Sequence, residues 1–201
     1  MHELLVATTN ADKLREIVRI LEGLPVTLST LALFPDIPLA EETGASFAEN
    51  ARQKAMHYAG ISGMLTMAED SGFEVEALNG EPGIHSARYL GGDATYEERF
   101  DDIYRRVRDM GVIETGASFV CALAAADATG ILFETTGRVN GILAHTPAGL
   151  NGFGYDPIFL YPPYGMTFGE VSDERKTAVS HRGQAIRALR KFLEASRHSQ
   201  I

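Results

Sequence analysis

Apolar residues recur along the chain with the spacings of strands and helices, and their order predicts the first elements of the fold. A largely apolar run at residues 4–8 predicts a short buried strand. Helical spacing follows, since apolar side chains then recur every three or four residues, at Leu14, Ile17, Val18 and Leu21. Asn10 suits the N-cap of this helix, and Gly23 and Pro25 indicate its end. The chain therefore begins with a strand that enters a helix through a short polar turn.

Two capping boxes mark the starts of further helices. The first box, Ser46–Glu49, predicts a helix that runs to Gly60, and the second, Thr95–Glu98, predicts a helix that ends at Gly111. A last helix is predicted after residues 180–183 by an apolar stripe at Ile186, Leu189 and Leu193.

Short apolar segments in the middle of the chain predict strands. Residues 65–68 predict a buried strand that ends at Glu69–Gly72, and the alternation that follows predicts an edge strand over residues 73–77. Residues 118–126 and 131–136 predict paired strands joined by a polar turn. Because strands and helices intermix, the predicted fold class is α/β on a mixed sheet.

Length and composition are typical of a globular protein. The 201 residues, 45% hydrophobic and 22% charged, predict a single domain over residues 1–201. The net charge of −9 leaves no basic face for extended DNA or RNA, although a few cations in one cleft can still bind a small polyanion. The single cysteine, Cys121, lies in an apolar run and is expected in the core. With no apolar run of about 18 residues and no basic secretory start, we expect a cytoplasmic protein without membrane contact.

Hydroxyl, amide and ammonium groups cluster at the first strand-to-helix turn, over residues Thr8–Lys13. The unpaired amides and the dipole of a helix N-terminus favour an anion at such a turn. The glycines of a Walker loop are missing from it. The turn therefore suits either a phosphate site or an ordinary capped helix with an exposed lysine.

Carboxylates form a second candidate group, which comprises Glu41, Glu42, Glu69 and Asp70. Because Glu69 and Asp70 directly follow an apolar strand, at least one of them is expected at the carboxyl edge of the sheet, where α/β proteins bind ligands. Oxygen ligands of this kind suit Mg²⁺, and the Ser71 hydroxyl beside a glycine can approach a phosphate. A solvated loop is the alternative.

Two later segments could surround a planar ligand. Glycines on both sides of Phe153 can leave its ring free to stack, and Asp156 can accept hydrogen bonds from the edge of the ligand. Lys176 and residues 180–182 add two cations and a histidine near a helix start. The alternatives are a structural turn for the first segment and a solvated, capped helix end for the second. A long functional loop is expected over residues 147–168.

Together these segments resemble the inosine triphosphate pyrophosphatases, also called XTP/dITP diphosphatases. The matching blocks span almost the whole chain in the family's order and are Ala7–Lys13, Ala40–Gly44, Phe47–Ala51, Ala68–Gly72, Gly80–Ile84, Ser86–Tyr89, Gly152–Phe159 and Ser180–Gly183. The resemblance implies a strongly twisted mixed sheet in two lobes with the active-site cleft between them. It also implies a homodimer and Mg²⁺-dependent hydrolysis of the aberrant purine nucleotides ITP, dITP and XTP to monophosphate and pyrophosphate, which cleanses the nucleotide pool.

The resemblance also assigns roles to individual residues. It implies a triphosphate cradle made of Thr8, Thr9, Asn10, Lys13 and the amides of Ala11 and Asp12, with Ser71 as a further phosphate contact. It places Glu41 and Asp70 at the metal, with Asp70 as the base that orients or deprotonates water for attack at the α-phosphorus. It implies a nucleoside pocket made of Phe153, Gly154, Tyr155, Asp156, Lys176, His181 and Arg182. Donors aimed at a 6-keto oxygen would be left unpaired by the 6-amino group of ATP and would select against it.

The chain departs from the family pattern at a few positions. Glu69 stands where the family usually has aspartate, and its longer side chain is expected either to act on Mg²⁺ through water or to point to solvent. Thr177 replaces a common asparagine, and His85, where the family often has tyrosine, is assigned no role. Two alternative functions stay open: a nucleotide-binding sensor that hydrolyses nothing, and a pyrophosphatase for modified pyrimidine or ordinary nucleotides. The presence of both Glu41 and Asp70 argues against the sensor.

Overall fold

The computed structural model describes residues 2–198, which form seven strands and five α-helices. The strands are β1 (His2–Val6), β2 (Val26–Thr30), β3 (Leu65–Val75), β4 (Gly116–Asp127), β5 (Gly130–Leu143), β6 (Phe159–Tyr161) and β7 (Met166–Thr167). The helices are α1 (Ala11–Leu21), α2 (Phe47–Ser62), α3 (Tyr96–Asp109), α4 (Asp173–Val179) and α5 (His181–His198). Short 3₁₀ turns connect several of these elements.

The strands form one mixed, open sheet in the order β2-β1-β3-β4-β5-β6-β7. Strand β1 pairs in parallel with both β2 and β3, whereas β6 pairs antiparallel with β5 and β7. The predicted α/β class on a mixed sheet is therefore confirmed. Within the described residues, no helix is long and apolar enough to cross a membrane.

The chain divides into two compact units, in agreement with the expectation of two lobes. Of the described residues, unit 1 comprises residues 2–70, 121–137 and 181–198, and unit 2 comprises residues 71–120 and 138–180. The strands β3, β4 and β5 each contribute residues to both units. The position of the active-site cleft stays a prediction.

Each unit has its own hydrophobic core. In unit 1, helices α1 and α5 pack with the strands β1, β3 and β4 through buried side chains that include Ile17, Leu21, Met67, Leu123, Ile186 and Leu189. In unit 2, the core is rich in aromatic rings, and Phe73, Phe119, Phe159 and Phe168 meet at its centre. Burial of this apolar surface is the main term that stabilises each unit.

The polar helix starts follow the sequence-based predictions with one difference. Asn10 caps α1, and Thr95 and Glu98 form the complete capping box of α3. At α2, the Ser46 hydroxyl accepts from the Glu49 amide, but the Glu49 carboxylate accepts from Ala45 rather than from Ser46. The box at α2 is therefore only half formed.

Predictions for two segments and for one apolar position differ from the structure. Strand β3 does not end at Glu69–Gly72 but runs unbroken through it, and residues 73–75 continue the same strand instead of forming a separate edge strand. The segment 147–168, predicted as a loop, contains the short strands β6 and β7. Val18, counted in the apolar stripe of α1, is 43% exposed. The first difference matters most, because it places charged residues in the middle of a buried strand.

Candidate active site

The carboxylates of β3 lie beyond the end of its parallel neighbour β1. Strand β1 stops at Val6, which is paired with Met67, and the amide of Ala7 donates to the carbonyl of Met67 over 2.9 Å. Strand β3 continues through Glu69 and Asp70, which are 4% and 6% exposed. Glu69 and Asp70 therefore lie just past the carboxyl end of β1, as predicted, but they do not lie at the end of β3, which continues to Val75.

The turn after β1 is fixed by its own side chains. The Oδ1 atom of Asn10 accepts hydrogen bonds from the amides of Asp12 and Lys13, at 2.9 and 3.0 Å. The Thr8 hydroxyl accepts from the amide of Asn10 at 3.2 Å. Thr9 and Ala11 are exposed at this turn. The α1 N-terminus, with its positive dipole end, is therefore open to an anion, and one predicted cradle amide, that of Asp12, is held by the cap.

Glu69 joins two cations of unit 1. Its Oε1 atom lies 2.8 Å from the ammonium of Lys13 on α1 and 3.5 Å from Nη2 of Arg182 on α5. Burial opposes ionisation of Glu69, but the charges of Arg182 and Lys13 outweigh it and hold its pKa well below the usual value. The alternative in which Glu69 points to solvent is wrong, because its carboxylate is buried against Lys13 and Arg182. Its predicted action on Mg²⁺ through water stays a prediction. Lys13 is likewise not a free surface lysine.

Arg182 is a buried cation with two carboxylate partners. It is 2% exposed, and its Nη1 atom lies 2.6 Å from Oε2 of Glu16. Burial acts against its charge, yet Glu69 and Glu16 raise its pKa above the usual value. The alternative of a solvated helix end is therefore wrong for the start of α5. The preceding residue, His181, is also buried, at 3% exposure.

Asp70 is held by residues of α2. Its Oδ2 atom accepts from Nδ2 of Asn50 at 2.9 Å, and its Oδ1 atom lies 3.5 Å from the ammonium of Lys54. The same ammonium lies 2.8 Å from Oε1 of Glu42. Burial raises the pKa of Asp70 above its usual value, and Lys54 and Asn50 act in the opposite direction. A carboxylate with a raised pKa is better suited to accept a proton than an exposed one.

Three of these partners have no role in the sequence-based prediction. Asn50 and Lys54 are four residues apart on α2, and Glu16 lies on α1. The sequence pattern could have identified Asn50 and Lys54, because they lie at helical spacing on the buried face of α2 that starts at Phe47. Polar residues on a buried helix face require partners, which here are the acidic side chains Glu42 and Asp70.

The predicted metal ligands are only partly brought together. Glu41 is exposed on the segment before α2, and it is Glu42 that approaches Asp70 through Lys54. No group of three His, Cys, Asp or Glu side chains that could hold a metal is found in residues 2–198. The donor chemistry nevertheless fits Mg²⁺, which takes one or two carboxylates and keeps water or phosphate oxygens as its other ligands. The Lys54 ammonium already shows that a cation is accommodated between Glu42 and Asp70.

Unit 2 contains a second polar cluster around Asp156. Its Oδ2 atom accepts from the Lys176 ammonium at 2.6 Å and from the backbone amide of Phe153 at 2.8 Å. The ammonium also lies 4.5 Å from the centre of the Phe153 ring. Gly152 has a φ of 71°, and a Cβ atom there would lie 2.1 Å from Oδ2 of Asp156. The glycine therefore lets the loop close over the carboxylate, which fixes the half-buried Phe153 ring beside a cation.

Tyr155 and Ser71, both predicted to contact substrate, lie in different environments. Tyr155 is 4% exposed, stacks on Phe73 with ring centres 5.0 Å apart, and donates from its hydroxyl to the carbonyl of Ser86. Its side chain belongs to the core of unit 2, so only its backbone could face a ligand. Ser71 is half-buried on β3, directly after Asp70.

A profile of the Ham1 family matches residues 4–192 of the chain. The chain belongs to the Ham1 family. This Ham1 chain is 43% identical over 193 residues to a dITP/XTP pyrophosphatase of Geobacter sulfurreducens, an alignment that covers 96% of this chain and 97% of that protein. A dITP/XTP pyrophosphatase of Listeria innocua is 38% identical over 193 residues, with coverages of 96% and 95%. The family resemblance drawn from the sequence blocks is therefore confirmed.

Solved structures of Ham1 proteins have the same fold. A HAM1 protein from Coxiella burnetii matches with a TM-score of 0.90 and 37% identity, over 97% of this chain and 100% of that chain. A nucleoside-triphosphatase, or dITP/XTP pyrophosphatase, from Mycobacterium abscessus matches with a TM-score of 0.73 and 40% identity, over 93% and 97% of the two chains. The mixed sheet of this chain therefore belongs to the fold that the solved Ham1 structures share.

Proposed function

We propose that this Ham1 protein hydrolyses the aberrant purine nucleotides dITP, XTP and ITP to monophosphate and pyrophosphate, with Mg²⁺, and so removes them from the nucleotide pool. The observation that carries the proposal is the arrangement in unit 1 of Lys13 at an open helix N-terminus with the buried carboxylates Glu69 and Asp70 of β3. A polyanion site next to a carboxylate of raised pKa is what water attack on a phosphate requires. Relatives named dITP/XTP pyrophosphatases support the choice of substrate.

The triphosphate is bound at the start of α1 in this proposal. The exposed turn offers the Thr8 and Thr9 hydroxyls, the Asn10 side chain and the positive end of the helix dipole. Lys13 supplies a full charge, and Ser71 supplies a hydroxyl. The amide of Ala11 is one of the first amides of the helix, which have no acceptor within the helix. The amide of Asp12 donates to the Asn10 side chain and can donate to a phosphate once that hydrogen bond is broken.

Asp70 acts as the base in this proposal. Its Oδ atoms are oriented by Asn50 and Lys54, and it takes a proton from the water that attacks the α-phosphorus. Asp70 would hold the Mg²⁺ ion together with Glu41, the second ligand that the family resemblance implies, although Glu41 is exposed here and it is Glu42 that contacts Lys54 beside Asp70. When bound, the ion neutralises charge on the phosphate oxygens and helps the pyrophosphate to leave. Lys13 stabilises the charge that develops on the phosphate tail.

In this proposal the purine is recognised by the nucleoside-pocket residues that the family resemblance implies, beginning with Phe153. Its ring stacks on the base, and the backbone of Gly154 and Tyr155 borders the stacking surface. The cationic side chains of Lys176 and Arg182, together with His181 and Asp156, recognise the polar edge of a 6-keto purine. ATP carries an amino group at that position and leaves these donors unpaired, so the proposal predicts selection against it.

A panel of nucleotides tests the proposal directly. The purified protein is incubated with dITP, XTP, ITP, GTP, ATP and a pyrimidine triphosphate, each with Mg²⁺ and with a chelator, and pyrophosphate release is measured. We expect turnover of dITP, XTP and ITP only with Mg²⁺, and far less of ATP and the pyrimidine triphosphate. GTP also carries a 6-keto oxygen, so its rate shows whether the pocket distinguishes the 2-position of the purine as well. Absence of all turnover would indicate a nucleotide-binding sensor, and equal rates on every nucleotide would contradict the proposed pocket. A homodimer in the cytoplasm is part of the same proposal, and sedimentation of the purified protein tests the dimer.

A further inference from the structure

Cys121 contacts the carboxylate that joins Lys13 to Arg182. The thiol lies on β4, is fully buried, and its Sγ atom is 3.1 Å from Oε2 of Glu69. The other oxygen of the same carboxylate, Oε1, faces both cations. Both oxygens of Glu69 therefore have partners within unit 1, one neutral and two charged.

The Cys121 thiol is a donor in this contact. Burial, followed by the charge of Glu69, raises the pKa of Cys121 well above its usual value, so the sulfur keeps its proton. An S–H group is a weak donor, but a carboxylate is the strongest acceptor that a side chain offers. The hydrogen bond fixes the rotation of the carboxylate about its last bond, which in turn decides where Oε1 lies.

Glu69 contacts both Lys13 and Arg182, and Arg182 also contacts Glu16. If its carboxylate were lost, Arg182 would keep Glu16 at 2.6 Å, while Lys13, whose side chain is 20% exposed, would lose its only ion pair among the described residues. The position of the Lys13 ammonium therefore depends on Glu69 more than the position of Arg182 does. Glu69 therefore links a cation that depends on it, Lys13, to a cation that has a second carboxylate partner, Arg182.

We propose that Glu69, oriented by the Cys121 thiol, is a positioning residue that places the Lys13 ammonium for the phosphate tail of the substrate. This inference rests on the proposed function in one respect, the contact of Lys13 with the triphosphate. It assigns Glu69 no direct contact with Mg²⁺ and assigns Cys121 no chemistry of its own.

Infrared spectroscopy tests the thiol contact without any turnover. Cys121 is the chain's single cysteine, so its S–H stretching band has no overlapping band from another thiol. We expect this band to move to higher frequency in Glu69→Gln, because an amide accepts the hydrogen bond less strongly than a carboxylate. The control is Glu134→Gln, which removes an exposed ion pair with Arg52 in the same unit. An S–H band that is unchanged in Glu69→Gln would overturn the proposed orientation by Cys121.

Kinetics and ligand binding test the positioning role. Glu69→Gln preserves shape but releases Lys13, so we expect kcat for dITP to fall by about 10- to 100-fold. Loss of a negative charge near a polyanion site strengthens attraction, so neither KM nor the Kd for pyrophosphate measured without metal should rise. A residue that only stabilised the fold would leave kcat per folded molecule unchanged, and that result would overturn the proposal.

Variants of the thiol separate the hydrogen bond from packing. We expect Cys121→Ala to lower kcat by about 3-fold and Cys121→Ser, which keeps a donor, to restore it to within about 2-fold of the unmutated protein. Leu123→Val, a small loss of packing on the same strand, is the matched control and should leave kcat unchanged. Equal losses in the alanine and serine variants would contradict a role as donor.

The proposed function and the positioning role of Glu69 can be disproved separately. If the unmutated protein hydrolyses no nucleotide, the proposed function fails, while the S–H band and pyrophosphate binding still test the contacts of Glu69. If it hydrolyses dITP and Glu69→Gln has normal kcat, the proposed function stands and the positioning role is wrong.

Discussion

Asn50 donates a hydrogen bond from Nδ2 to Oδ2 of Asp70 over 2.9 Å, and its own carbonyl oxygen is held by the amide of Gly44 at 2.8 Å. The two contacts fix which end of the Asn50 amide faces the carboxylate. Asn50 is fully buried, so neither contact is exchanged with water. The backbone before α2 thereby determines the orientation of the predicted catalytic base on β3.

Replacement of Asn50 tests this arrangement. Asn50→Ala removes the donor to Asp70 and leaves the Gly44 amide without its acceptor. We expect the free energy of unfolding to fall by about 1–3 kcal/mol and turnover to fall by roughly 10-fold. Chemical denaturation and steady-state kinetics measure the two effects. Met56→Ala, which removes a side chain of the same helix that is 45% exposed, is the matched control and should change neither quantity by much.

Replacement of Asp70 tests its role as base. Asp70→Asn keeps the shape of the side chain but removes the charge that can take a proton or hold a cation, so we expect turnover to fall by at least about 100-fold. Substrate binding, measured by calorimetry, should change much less. Asp36→Asn removes an exposed carboxylate of the same unit and serves as the control. Near-normal turnover in Asp70→Asn would remove Asp70 from the catalytic role.

Replacement of Phe153 tests the stacking surface. The ring is half-buried beside the Lys176 ammonium, and Phe153→Ala removes both the ring and this contact. We expect binding of IMP to weaken by about 1–3 kcal/mol, the value of one base stacked on an aromatic side chain. Binding of pyrophosphate, which has no base, should stay the same. Equal losses for the two ligands would mean that Phe153 supports the loop rather than the purine.

Two glycines of unit 1 should respond to alanine in opposite directions. At Gly137 on β5, a Cβ atom would lie 2.0 Å from the carbonyl oxygen of His181, so Gly137→Ala forces the strand away from the start of α5. We expect a loss of about 1–3 kcal/mol in the free energy of unfolding. At Gly60 on α2, no atom lies within 4 Å of the added carbon, so Gly60→Ala should stabilise the protein by about 0.5–1 kcal/mol. Thermal unfolding of both variants measures the difference, and a stable Gly137→Ala protein would contradict the close approach.

Much of the fold could be predicted because the elements depend on residues that are close together in the sequence. The helix starts at Asn10 and Thr95 follow from single side chains that cap adjacent amides. The α/β class follows from the alternation of apolar patterns. The course of β3 was not predictable in this way, because the polar residues Glu69–Gly72 read locally as a turn. The strand continues through them because cations from α1, α2 and α5 compensate the buried carboxylates.

The candidate site shows the same limit. The sequence blocks identified Lys13, Asp70 and Arg182 as candidates, but not which of them share a partner. Glu69 contacts Lys13, Arg182 and Cys121, and Arg182 contacts Glu16. These residues are far apart along the chain. No local spacing encodes such contacts, so only the folded chain reveals them.

The position of water attack tests the central claim most directly. The protein is incubated with dITP and Mg²⁺ in water enriched in heavy oxygen, and the products are analysed by mass spectrometry. Attack at the α-phosphorus predicts one heavy oxygen in the monophosphate and none in the pyrophosphate. A heavy oxygen in the pyrophosphate, or orthophosphate together with a nucleoside diphosphate, would contradict the proposed reaction.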